Sequence, residues 1–112
     1  MEHQFKPYDV GIWLDMLDVN CLTDAEADQL YEMNIDIEND ADLDRMITEW
    51  MKPRFVENNA QTRASMLKVL EKSRQWTAKQ LQPFFAMAGL PSRQEIKDID
   101  RFMEHLRRQI LG

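Results

Sequence analysis

The sequence predicts an all-α protein: short N-terminal helices, then a long helix and a C-terminal heptad helix. These would form a helical bundle or an extended hairpin with the means to oligomerise. Three observations carry this. Apolar residues recur at helical period in several separate stretches. Two capping boxes, Thr23 with Glu26 and Ser92 with Glu95, announce helix starts. No stretch alternates with the period of a strand, and only three Gly and four Pro among 112 residues leave few turns.

Residues 1–8 carry Phe5, Pro7 and Tyr8 without period and read as an irregular lead-in. Asp9 is positioned to cap a short helix whose inner face is Val10, Trp13, Leu14 and Leu17. Asn20-Cys21-Leu22 reads as a break. The Thr23 box opens a helix through about Glu32, with Ala27, Leu30 and Tyr31 inward. Asn34 to Asp40 reads as a loop. A third helix follows from about Ala41 to Met51, where Leu43, Met46, Ile47, Trp50 and Met51 fall at i, i+3, i+4, i+7 and i+8.

Pro53 is compatible with a first helical turn. From Phe55 to about Met87 the stripe Val56, Ala60, Ala64, Leu67, Leu70, Ala78, Leu81 and Phe85 predicts one long helix, with Pro83 as a kink or stop. At ~1.5 Å per residue, roughly 27 residues would make a rod of about 40 Å. Ala88-Gly89 closes it. After the Ser92 cap, Ile96, Ile99, Met103, Leu106 and Ile110 recur at spacings of 3, 4, 3 and 4, the rhythm of a coiled-coil seam. Such a seam needs a partner helix, either 55–87 of the same chain or a second copy. Leu90, Ile96, Ile99, Met103, Leu106 and Ile110, with Trp76 as an anchor, are therefore the expected partner-binding residues. Two regions are expected: an acidic helical region 1–52, and 53–112 carrying the long and seam helices.

The net charge of −6 hides a division. Residues 1–50 hold fourteen Asp and Glu against Lys6 and Arg45, a net of −12, whereas 51–112 hold twelve Lys and Arg against six acids, a net of +6. The acidic half can fold back on the basic half, the chain can associate head to tail, or the basic half can meet an acidic partner. An acidic chain with Arg107-Arg108 as its densest basic pair is no candidate for nucleic acid. No apolar run reaches the ~20 residues of a membrane span, and the start does not read as a signal peptide, so a cytoplasmic location is expected.

No catalytic, metal or cofactor set is expected. Cys21 is the single cysteine and reads as a small buried thiol; His3 and His105 are remote from it in sequence. Asp36, Glu38, Asp40, Asp42 and Asp44 alternate like a calcium loop, but the positions that need Gly and a bidentate Glu hold Ala41 and Ile47. The alternation fits an acidic helix start better.

The stretch Leu90-Pro91-Ser92-Arg93-Gln94-Glu95-Ile96, followed by Ile99, Met103 and Leu106, resembles the C-terminal motif of the accessory (PhaE) subunits of class III polyhydroxyalkanoate synthases and of phasin-like granule proteins. The specific part of the resemblance covers about the last quarter of the chain. It implies a non-catalytic accessory protein that binds a synthase or a polyester granule through amphipathic helices. The charge division alone supports a different reading, a small acidic regulatory adaptor for a basic partner protein.

Overall fold

The computed structural model describes residues 4–90 and 94–112, and within them the chain is helical with no strand. A 3-10 turn, Pro7–Val10, runs into α1, Gly11–Leu14; α2 is Asp24–Glu32 and α3 Asp40–Met46. A single π turn, Ile47–Met51, joins α3 to α4, Lys52–Glu57. Then come α5, Ala60–Lys72, a 3-10 turn at Ser73–Gln75, α6, Ala78–Met87, and α7, Ile99–Leu111.

Side-chain caps set most of these starts. Glu26 N–H donates to Thr23 Oγ1 (3.1 Å), and Thr23 N–H donates to Glu26 Oε1 (3.0 Å), so the Thr23 box forms as expected. Asn39, Asn59 and Asp98 accept from the backbone of Asp42, Thr62 and Arg101 at the heads of α3, α5 and α7. Asp9 is not an N-cap; it lies inside the first turn and accepts from Lys6 N–H at 2.8 Å. The Ser92–Glu95 box falls partly outside the described residues, and α7 opens at Ile99, not at residue 93.

The long helix expected over 55–87 is divided into three. Asn58 leaves α4 with extended backbone and Asn59 caps the next helix, so the chain turns there. Trp76 is extended, and Thr77 forms a second capping box with Gln80 (2.8 and 3.2 Å). Among the described residues the longest unbroken helical run is Asp40–Glu57, about 27 Å at ~1.5 Å per residue, so the expected rod does not form. Pro83 neither ends nor interrupts α6, which continues to Met87. Pro53 lies just past the π turn, where the widened backbone leaves room for a residue that cannot donate to the preceding turn.

One core draws on both halves of the sequence. Val10, Trp13, Leu14 and Leu17 are buried, as are Leu43, Met46, Ile47, Trp50 and Met51, which confirms both expected faces. Trp13 stacks on Phe55 at 5.3 Å and donates to Met66 O; Trp50 donates to Met16 O at 2.7 Å. The helix Asp40–Glu57 passes through residue 52 without a break, so the expected boundary between regions lies inside a continuous helix. In α5 the inner face is Met66, Val69 and Leu70 rather than the stripe through Val56, Ala60 and Ala64, which are exposed.

The α7 helix packs against α3, α5 and α6 of its own chain. Its buried face comprises Ile99, Phe102, Met103, His105 and Leu106, wider than a two-position heptad seam. Phe102 meets Phe85 of α6 edge-to-face at 5.5 Å. Gly89 serves close approach, not a left-handed cap. Its carbonyl accepts from Val19 N–H at 2.8 Å, and an added Cβ would lie 3.1–3.2 Å from Asn20 Nδ2 and Asp18 Oδ1.

Candidate functional site: an acidic helix face beside an apolar cleft

The charge division resolves into two populations of carboxylates. One is consumed inside the fold. Arg101 Nε donates to Asp40 Oδ1 at 2.8 Å, and the same guanidinium reaches the carbonyls of Ile37 and Glu38. His105 donates from Nδ1 to Asp44 Oδ1 at 2.7 Å, its Nε2 lies 3.4 Å from Asp40 Oδ1, and Arg108 is 3.6 Å from Asp44. Lys97 and Arg54 reach Glu38 and Glu26 at 4.0 and 3.6 Å. Asp40 and Asp44, one turn apart on α3, thus meet Arg101, His105 and Arg108, which share one face of α7. The hydrogen bond from Arg101 holds the Asp40 carboxyl below its usual range, and the one from His105 does the same for Asp44. His105 is buried in this clamp.

The other population stays outward. Asp24, Asp28 and Glu32 are exposed on α2, and among the described residues none of the three has an ion-pair partner. With Tyr31 they fall at i, i+4, i+7 and i+8, so one helix face presents three carboxylates and an aromatic ring. Tyr31, expected to point inward, is 63% exposed, and Leu30 alone is fully buried from this helix. Asn34 follows with φ 53°, a left-handed conformation that Asn tolerates better than other side-chain-bearing residues. This turn sends Ile35 back toward the interior while Tyr31 stays at the surface.

A cleft of about 190 Å³ opens beside Tyr31. Its floor is apolar, from Leu17, Leu30, Ile35, Ile37, Met46 and Leu90, and Asn34 and Gln94 lie at its edge. Gln94 fixes one wall by a paired contact: its Nε2 donates to Ile35 O (2.8 Å) and its Oε1 accepts from Ile37 N–H (3.1 Å). Through Ile37 and Gln94 the cleft adjoins an open groove bordered by Asp36, Glu38 and Glu95, with Lys97 across it.

The residues expected to bind a partner lie mostly elsewhere. Leu90, Ile99, Met103 and Leu106 are buried in the chain's own core, Ile96, Ile110 and Trp76 are half-buried against it, and only Leu90 touches the cleft. Cys21 is exposed rather than buried. Crowding of the thiol, then the Asp15 and Asp18 carboxylates, push it above its ordinary range, which keeps it protonated and a poor nucleophile at neutral pH. Asp15, Asp18 and Cys21 lie within 4.8 Å of one another, but Asp18 already accepts from Asn20 backbone and side chain. The alternating acids near Asp36 act as turn and cap acceptors: Asp36 N–H donates to Asp42, and Glu38 N–H to Asp36. Among the described residues no helix is long and apolar enough to cross a membrane.

Sequence reasoning missed the α2 face because it placed Tyr31 inward. The signal was present: Asp24, Asp28 and Glu32 share one stripe with Tyr31, and Leu30 is the only large aliphatic residue in the helix. No protein-family model, curated protein or solved structure matches the chain.

Proposed function

We propose that this chain is a non-catalytic adaptor that docks on a basic partner protein through the outer face of α2. The observation that carries the reading is Asp24, Asp28 and Glu32 flanking an exposed Tyr31, while the acids of α3 are consumed within the fold. Unpaired carboxylates on a rigid helix attract cations over about 8 Å at 0.15 M salt, and an exposed tyrosine supplies contact area and a π face for Arg or Lys. The test is co-purification from the native host. A basic partner retained by wild type and lost from D24K/D28K/E32K, with the helical spectrum unchanged, supports the reading. Retention by the triple variant refutes it.

The resemblance to polyester-synthase accessory subunits supports a second reading, in which the chain binds a synthase or a granule surface. Among the described residues, Met87, 76% exposed, and the half-buried Ile96, Ile110 and Leu111 are apolar side chains accessible around that motif. Loss of a synthase or granule protein from M87D/I96D, but not from the α2 triple variant, would select this reading over the first.

A further inference from the structure

Resting on the α2 docking reading, we infer that the cleft beside Tyr31 is a socket for one large apolar side chain carried by a basic segment of the partner. Three features argue for this occupant. The cleft is about 190 Å³ with an aliphatic floor, larger than the ~150 Å³ of an apolar cavity that takes up benzene, so a phenyl or isobutyl group fits. The groove that joins it through Ile37 and Gln94 is mainly acidic: among the described residues Asp36, Glu38 and Glu95 border it against one cation, Lys97, which lies 4.0 Å from Glu38. An apolar ligand without charge would make no use of those carboxylates, and an acidic one would be repelled by them. The wall is also preorganised, because Gln94 holds the backbone of Ile35 and Ile37 from both its amide atoms. A segment with cations beside a Phe or Leu satisfies the groove and the floor together.

The experiment uses the full chain and synthetic lysine-rich peptides that differ only at one central position, Phe or Ala. Binding is followed by fluorescence anisotropy and by the methyl resonances of the protein. The expected result is that the Phe peptide binds at least roughly tenfold more tightly than the Ala peptide, since burying such a side chain is worth more than a factor of ten. The methyls of Leu30, Ile35, Ile37 and Met46 should shift with the Phe peptide and not with the Ala peptide. Tyr31→Ala, an exposed change that leaves the core intact, should weaken the Phe peptide more than the Ala peptide. Equal, salt-sensitive binding of both peptides overturns the socket and leaves the acidic-face reading standing. Binding of neither overturns both. Methyl shifts that follow protein concentration without peptide place a second copy in the cleft and overturn the proposal.

Discussion

Replacing Met103 by Ala separates a seam that packs inside the chain from one that pairs two chains. Met103 is 1% exposed on α7, which packs against α3, α5 and α6. Truncating a fully buried Met to Ala costs about 2–5 kcal/mol, the spread reflecting how far neighbours relax into the space. For a chain of this size each kcal/mol moves the melting temperature by roughly 4 °C, so a fall of about 8–20 °C is expected. Ile110, half-buried on the same helix, should lose less when truncated. The assay is thermal unfolding by circular dichroism for both variants, repeated at protein concentrations about a hundredfold apart. An intrachain seam gives midpoints independent of concentration, because no association is linked to unfolding. A midpoint that climbs with concentration, or a Met103→Ala loss no larger than that of Ile110→Ala, would refute the packing argument.

Other expectations follow from the same structure. Asp40 and Asp44 titrate lower when folded than when unfolded, so the stability they contribute is complete above the unfolded carboxylate value near ~3.9 and disappears as pH falls through the folded values. Acid unfolding of Asp44→Asn should therefore show a shallower pH dependence than wild type, and an unchanged slope would contradict the clamp. Thr77→Ala removes the cap that restarts helix after Trp76 and should cost about 0.5–2 kcal/mol in urea unfolding; no change would mean that this cap does not hold the break. Cys21, although exposed, should alkylate more slowly at neutral pH than a small free thiol and accelerate as pH rises. A rate at or above that of the free thiol would remove the account of its environment.

Where local chemistry and packing agreed, the sequence was legible. The Thr23 box, the face of Val10, Trp13, Leu14 and Leu17, and the face from Leu43 to Met51 all formed as their spacing predicts. The rod over 55–87 did not, because a stripe of Ala and Val is weak evidence of continuity while Asn58-Asn59 and Thr77-x-x-Gln80 are specific chain-turning signals. Helix α7 exists, but a 3–4 spacing of apolar residues cannot distinguish a coiled-coil seam from an ordinary core face. Phe102, beside Met103, turned that stripe into a wide buried surface. The clamp was encoded as complementary spacing, with Asp40 and Asp44 matching Arg101, His105 and Arg108, though no pattern within either helix alone identifies the other as its partner. The cleft depends on residues from Leu17 to Gln94 and is invisible to any local pattern.

The central claim is that partners meet this chain at the outer face of α2. Its most direct test places a photocrosslinking phenylalanine derivative at position 31 in the native host, with a second variant carrying it at position 87. The account predicts one prominent adduct from position 31, joined to a lysine- or arginine-rich segment of another protein, and none from position 87. An adduct from position 87 with none from position 31 would contradict it.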